Sequence, residues 1–208
     1  MVCTMTEQQQ SFSSPDPDPY QGTSLISPAS KPVKLSKVFL TASDIDAFMA
    51  LQAKMRPTLL KPYHLKERTH EDLQKHFDQD MPAFGVKTNK GQLVGFGLLT
   101  ILKNEKSAKN LDGYPILDWQ RATTAVAQTV CVDPDFKGRG ISRMILDSMF
   151  SAATKNSMER IVSAIADDNI PSQRAFESAG YQPFAQGIDP NFGYQKTYYS
   201  YPIGCNAA

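Results

Sequence analysis

Along the chain, apolar residues recur at strand or helix spacing only from about residue 33 onward. Val33–Leu40 alternates and predicts a first strand. In TASDIDAFMALQAKM, Thr41 or Ser43 offers an N-cap, and Ile45, Phe48, Met49 and Met55 fall on one helical side until Pro57 stops the run. THEDLQKHF predicts a second, short helix capped by Thr69, with Glu71 and Asp72 suited to its positive end. AFGVKT and QLVGFGLLTIL, joined through Asn89-Lys90-Gly91, have the pattern of a hairpin. Within the second of these runs, Gly95 and Gly97 predict a bulge or a close approach by another backbone.

Residues 103–123 read as a polar connection with DGYP as a turn. The β-prone run TTAVAQTVCV, Thr123 to Val132, stops at Asp133-Pro134 and is followed by the loop KGRGIS. Apolar residues then return at Ile141, Met144, Ile145, Met149 and Ala152, offsets of 0, 3, 4, 8 and 11 that predict a helix. Arg160–Ile165 is a further strand, and DDNIPSQRAFESAG a helix with Pro171 in its first turn and Gly180 as its stop. YQPF and YQKTYYSYPI predict two last strands. The order is β-α-α-β-β-β-α-β-α-β-β. An antiparallel meander followed by β-α-β crossovers makes a mixed sheet with helices on both faces.

Residues 1–32 differ in kind. They are rich in Ser, Gln and Pro, with too little apolar surface to offset their ordering entropy, which predicts a flexible tail. PDPDP within it favours extended, polyproline-like backbone. One domain over residues 33–208 is expected to follow.

A net charge of +1 gives no electrostatic argument for nucleic acid or an anionic membrane as partner. No stretch approaches the roughly 20 apolar residues of a membrane span. The N-terminal residues lack the features of a signal peptide or a mitochondrial presequence. Cys3, Cys131 and Cys205 are scattered, which suits neither a disulfide framework nor a metal motif and points to a reducing, cytoplasmic setting. His64, His70 and His76 recur every six residues; on a helix that rotates successive rings by roughly 240°, so they do not converge on a metal. They are expected to be surface or capping residues.

The glycine loop asks for a chemical reading. A Walker loop needs G-x-x-x-x-G-K-[ST], and the chain has none. A dinucleotide fingerprint needs a third glycine where Arg143 stands, and belongs in the first βα turn, whereas at least four strands precede this loop. Two readings remain open from the loop itself. Its backbone N–H groups, Lys137 to Ser142, could cradle a pyrophosphate at the helix start, with Lys137 and Arg139 adding charge. Equally, Gly138 and Gly140 could serve only the dihedral angles of a strand-to-helix turn.

Context adds to that choice. Val132, Pro134, Phe136, Lys137, Gly138, Gly140, Ile141 and Ser142 are followed 27 residues later by Asn169, Ser172, Phe176, Glu177, Gly180 and Tyr181. This pair of motifs, over about Gln128–Tyr181, resembles the GNAT superfamily of acyl-CoA-dependent N-acetyltransferases. The resemblance implies an α/β (α+β) fold: a mixed, mostly antiparallel sheet of six to seven strands, helices on both faces and splayed central strands. It implies that the amides of Lys137, Gly138, Arg139, Gly140, Ile141 and Ser142 bind the pyrophosphate of acetyl-CoA, used as co-substrate without a metal. It further implies that Val130, Cys131 and Val132 pair with the pantetheine arm through their backbone. By the same resemblance, the Val130 amide polarises the thioester carbonyl, Asn169 hydrogen-bonds pantetheine, and Ser172 and Phe176 line the thiol end.

There are departures from the family pattern. Lys137 stands where Arg or Gln is usual, and Ser142 where Gly or Ala is usual; both suit main-chain contacts. Phe176 stands where many relatives carry a tyrosine that protonates the leaving thiolate, and phenylalanine cannot donate. Relatives often place a carboxylate on the central strand at positions that here are Gln128 and Val126. An amine of pKa about 10.4 costs about 4.6 kcal/mol to deprotonate at neutral pH, so a proton acceptor is needed. Water ordered by Gln128, Asp118, Tyr194, Tyr198 and Tyr199 are the candidates. Cys131 fits a small strand residue better than an acyl-carrying nucleophile.

The implied function is transfer of an acetyl group from acetyl-CoA to a primary amine by direct attack in a ternary complex. The acceptor is a small-molecule amine or a protein amine, entering between residues 56–65, the 103–123 connection and the final hairpin. The protein is expected to be a monomer or homodimer. Phe176 and the missing strand carboxylate speak for an alternative, a non-catalytic acyl-CoA-binding module. A nucleotide-binding α/β domain is a third reading and would bind ATP or NAD rather than CoA.

Overall fold

Alternation and capping set the elements. In the computed structural model, residues 33–101 and 113–204 are described. The expected tail over residues 1–32, residues 102–112 of the polar connection, Cys3 and Cys205 lie outside them. The elements are β1 Leu35–Phe39, α1 Ile45–Met55, α2 His70–Asp78, β2 Ala83–Thr88, β3 Leu93–Ile101 and α3 Asp118–Arg121. They continue with β4 Thr124–Val132, α4 Ile141–Lys155, β5 Arg160–Ala166, α5 Ile170–Ser178, β6 Gln182–Ile188 and β7 Gln195–Pro202. Every predicted element is present. Only the four-residue α3 was not expected, because it is too short to show a period.

Local chemistry explains the boundaries. Thr69 caps α2 reciprocally: its Oγ1 accepts from the Asp72 amide at 3.1 Å, and the Asp72 carboxylate accepts from the Thr69 amide at 3.2 Å. Gly180 ends α5 in the left-handed region, at φ 93°. The strands form one sheet in the order β1-β2-β3-β4-β5-β7-β6, antiparallel at every seam except β4–β5.

Both sheet faces are covered. On one face, Phe48 and Leu51 of α1 and Leu73 of α2 bury with Phe96, Leu98 and Cys131; Phe48 and Phe96 stack with centroids 3.5 Å apart. On the other, Ile141, Ile145 and Met149 of α4 and Phe176 of α5 pack on Val94, Leu99, Ile101 and Ala127. β3 is buried at all of its positions, since both helical layers press on it.

That pressure accounts for Gly95 and Gly97. The ladder does slip beside them, between Val86 and Lys87 and between Phe96 and Leu98. The main close approach, however, comes from helix α4 side chains rather than from another backbone. A Cβ on Gly95 would collide with Ile141 Cγ2; one on Gly97 would collide with Met149 Cε and lie 2.6 Å from Ile145 Cγ2.

The β4–β5 seam positions everything that follows. Parallel pairing covers only Thr124 with Arg160, Ala125 with Ile161 and Val126 with Val162. Beyond these, β4 runs on to Val132 and β5 to Ala166 without pairing to each other. On its other side β4 is bulged, because Leu98 pairs with Gln128 but Phe96 with Cys131. The extra residue is accommodated by Thr129, whose φ of 52° is unusual for a β-branched side chain. The central strands therefore splay.

Two predictions follow from the packing. Gly97→Ala is expected to cost about 1–3 kcal/mol through overpacking against Met149 and Ile145, read from urea unfolding. The second concerns His76, whose Nε2–H donates to the Pro82 carbonyl at 3.2 Å. Burial, aided by the like charge of Arg68, pulls His76 down to about 4, against the opposing effect of that hydrogen bond. Between pH 4 and 6.5 the unfolded chain thus binds a proton that the folded chain refuses, so stability falls as pH falls through this window. His76→Gln is expected to flatten that slope, with Tm against pH as the measurement.

Candidate active site between the splayed strands

Divergence of β4 from β5 opens two cavities that share a wall. The first, of about 370 Å³, is lined by Ala127–Val130 of β4, Ser163–Ala166 of β5, the segment from Tyr63 to Arg68, and Tyr114, Asp189, Tyr194 and Lys196. The second, of about 530 Å³, runs from Val130–Val132 past Phe136, Lys137, Gly138 and Gly140 to the start of α4 and along α5. His64, Leu65, Val130, Asn169, Ser172 and Phe176 line both. A molecule in one cavity can therefore meet a molecule in the other at Val130 and Phe176.

The structure brings together nearly all of the residues singled out from the sequence. Gln128 lies in the first cavity; Cys131, Val132, Lys137, Gly138, Gly140, Ile141 and Ser142 lie in the second. Arg139 lines neither, and its guanidinium instead sits 5.3 Å from the Phe136 ring centroid. Thr129 and Val130 have no partner in the ladders with β3 or β5, which leaves this part of β4 open to an added strand-like partner.

The two readings of the glycine loop describe one geometry. Gly138 and Gly140 have φ of 75° and 72°, and no atom stands within 4 Å of where a Cβ would go. Glycine is needed here for backbone conformation. The same conformation starts α4 at Gly140 with no side chain capping its first amides, so those donors remain available. The approach to the loop is pinned. Asp133, with its side chain 1% exposed, accepts from the Asp135 amide at 3.0 Å and pairs with Lys54 of α1 at 2.7 Å, while Lys54 also reaches Asp135 at 2.7 Å. The Asp133 hydrogen bond, followed by that of Asp135, raises Lys54 above the ordinary lysine value.

Asn169 is placed as expected, but its amide is engaged within the protein. Its Oδ1 accepts from the Ser172 amide at 3.3 Å and caps α5, and its Nδ2 donates to the His64 carbonyl at 3.2 Å. Phe176 is buried, edge-on to Tyr181 with centroids 4.9 Å apart. Cys131 packs in the cluster beneath α1, and burial pushes its thiol up to about 12, a neutral group at ordinary pH.

Histidine is where the sequence reading needs correction. His64 is not a surface residue: its side chain is 6% exposed, and the residue lines both cavities. Its Nε2 lies 2.7 Å from Asp168 Oδ1, while the Tyr63 hydroxyl donates to Asp168 Oδ2 at 2.6 Å. The Tyr63 hydrogen bond chiefly, and that of His64 in addition, hold the Asp168 carboxyl below its ordinary value against a desolvation that raises it. No local pattern announced this dyad, because its partners are 104 residues apart and join only through the fold.

Arg68 was missed as well. Its Nη2 donates to Gln128 Oε1 and its Nε to Thr129 Oγ1 at 3.2 Å, spanning the bulge. Of the expected proton acceptors, Tyr194 lines the first cavity, stacks on Tyr63 at 4.4 Å, and is pushed up to about 12, mainly by burial. Tyr198 and Tyr199 line neither cavity. Tyr198 donates to the Gly113 carbonyl at 2.6 Å and Tyr199 to Glu177 Oε1 at 3.1 Å, so both are tied up in packing. The Asp118 side chain lies outside the described part of the structure. Among the described residues no group of His, Cys, Asp and Glu could hold a metal ion, and no helix is long and apolar enough to cross a membrane.

A sheet parted at its one parallel seam, with an uncapped glycine loop beside the gap, defines a class of protein. The sequence profile of the Acetyltransferase (GNAT) family matches residues 46–181, and the chain belongs to that family. A sequence search of curated proteins finds no match. Solved structures share the fold. An N-acetyltransferase from Staphylococcus aureus Mu50 is 15% identical with a TM-score of 0.63, covering 82% of this chain and 99% of its own. YncA, a putative acetyltransferase from Salmonella typhimurium with its cofactor acetyl-CoA, is 16% identical with a TM-score of 0.59, covering 84% and 96%. A GNAT superfamily phosphinothricin acetyltransferase from Sinorhizobium meliloti, in complex with AcCoA, is 12% identical with a TM-score of 0.62, covering 82% and 89%.

Proposed function

We propose that this protein transfers the acetyl group of acetyl-CoA to a primary amine by direct attack in a ternary complex. The observation that carries this reading is the meeting of the two cavities at Val130 and Phe176. Acetyl-CoA occupies the second cavity, its pyrophosphate on the amides of Lys137 to Ser142 and its pantetheine arm along Val130–Val132. The amine enters through the first. Holding the two substrates on opposite sides of one wall converts an encounter between them into attack within a complex.

Val130 has no paired residue in either ladder, and its N–H polarises the thioester carbonyl, where negative charge develops as the amine attacks. His64 takes the proton. With Nε2–H donating to Asp168, Nδ1 is the accepting atom of the ring, and the carboxylate stabilises the imidazolium that forms. Phe176 has no proton to give, so the thiol leaves as the thiolate. One observation favours the second reading, an acyl-CoA-binding module without turnover: the buried Phe176 at the thiol end.

Mixing the protein with acetyl-CoA and a panel of amines is expected to release free thiol, followed with a thiol reagent. His64→Gln is expected to lower kcat by roughly 100-fold or more while KM for acetyl-CoA changes little. Tight acetyl-CoA binding with silence across the whole panel would establish the non-catalytic module instead.

A further inference from the structure

The first cavity is lined by three cations, Lys66, Arg68 and Lys196, and by one carboxylate, Asp189. Asp189 is already paired: Lys196 Nζ lies 3.2 Å from its Oδ2, and both side chains are largely buried. Lys66 and Arg68 have no ion-pair partner among the described residues; Asp72 acts on both, and Asp189 on Lys66, only through space. The guanidinium of Arg68 is largely desolvated, and its recorded hydrogen bonds go to two neutral oxygens, on Gln128 and Thr129. Among the described residues no carboxylate forms an ion pair with it. Lys66 is held below the ordinary lysine value, first by the like charge of Arg68 and then by burial. Arg68 lies inside the cavity and Lys66 at its exposed edge, and an anion between them relieves their mutual repulsion.

We propose, building on the transferase reading, that the acceptor is a free amino acid whose carboxylate is bound by Arg68 and Lys66. Arg68 is fastened to Gln128 and Thr129, one and two residues before the Val130 amide where the thioester sits. At a strand rise of about 3.3 Å per residue, the two residues that hold Arg68 lie within roughly 7 Å of Val130 along β4. A carboxylate one or two carbons from the amine spans that gap; one at the end of a long chain does not suit it. In a peptide the α-carboxylate is consumed by the amide bond, so an N-terminal residue presents no charge at that place. The cavity, about 370 Å³, lies at the small end for organic ligands, and Tyr63, Tyr114 and Tyr194 in its walls offer apolar faces to a side chain.

The test reads binding apart from turnover. The CoA-loaded protein is titrated calorimetrically with N-acetyl derivatives of the protein amino acids and with their matched primary amides, which keep the shape and lose the charge. At least one N-acetyl amino acid is expected to bind about 10- to 100-fold more tightly than its amide. That preference is expected to fall toward unity in Arg68→Met and to shrink in Lys66→Met, with circular dichroism confirming that both fold. Should Arg68→Met fail to fold, Lys66→Met and the salt dependence of the preference still decide. No derivative outbinding its amide would overturn the proposal, even with thiol release on simple amines intact. Tighter binding of N-acetylated dipeptides bearing an acidic first residue would also overturn it, moving the anion site to peptide recognition. A retained anion preference with no thiol release in any mixture would leave the anion site standing and remove the transferase reading beneath it.

Discussion

The rest of the site depends on one interruption, the point where β4 stops pairing with β5. A parallel seam is the natural place for it, since its neighbours are joined by a crossover helix rather than a tight turn and can diverge. Three residue pairs hold the strands together, and the bulge at Thr129 then turns β4 aside. A β-branched residue at positive φ costs on the order of 1–3 kcal/mol, so something must hold it there. Arg68 does so by bonding Oγ1 of Thr129 itself and the Gln128 side chain just before it. The strain is located where Thr129 and Val130 drop out of the residue pairing on both sides of β4.

Charge is treated in opposite ways on the two sides of this gap. Beside the glycine loop, buried Asp133 is fully answered by Lys54 and by a backbone amide, and the loop is thereby tied to α1. A buried carboxylate without such partners would be strongly unfavourable, so this corner is a fixed frame. Beside the bulge, the recorded hydrogen bonds of Arg68 go to neutral oxygens, Asp72 acts on it only through space, and a second cation is its neighbour. The first arrangement is complete as it stands. The second leaves a net positive charge facing the first cavity.

What the sequence made legible follows the range of the interactions involved. Strand alternation, the Thr69 cap, the glycine stop at Gly180 and the crossover order are local, and each reads directly from neighbouring residues. The glycine loop and the start of α5 are legible for the same reason, because each lies within one short motif. His64–Asp168 and Arg68–Gln128 join residues 104 and 60 positions apart, and no period or motif links them. His64 stood in view as one of three evenly spaced histidines, and that spacing misled: it compared the histidines with each other when the partner was a carboxylate beyond β5. Gly95 and Gly97 fall between these cases. Their oddity in a strand was visible, but that the close approach comes mainly from α4 side chains depends on the helix crossing β3 there.

The two gaps in the family pattern, no carboxylate on β4 and no hydroxyl on Phe176, bear unequally on the chemistry. Removing a proton from an amine costs about 4.6 kcal/mol at neutral pH, whereas a thiol of modest pKa leaves as its anion with little help. A vacant acid position is therefore tolerable and a vacant base position is not. Gln128 cannot take a proton, and its oxygen is held by Arg68 in any case. In the proposed transfer the base therefore comes from outside the central strand. His64 meets the geometric demand, since it lines both cavities and its ring is oriented by a carboxylate. Where a strand carboxylate would have drawn in an ammonium ion, β4 carries Gln128, and Arg68 binds its oxygen, so the charge at this point of the first cavity is positive rather than negative.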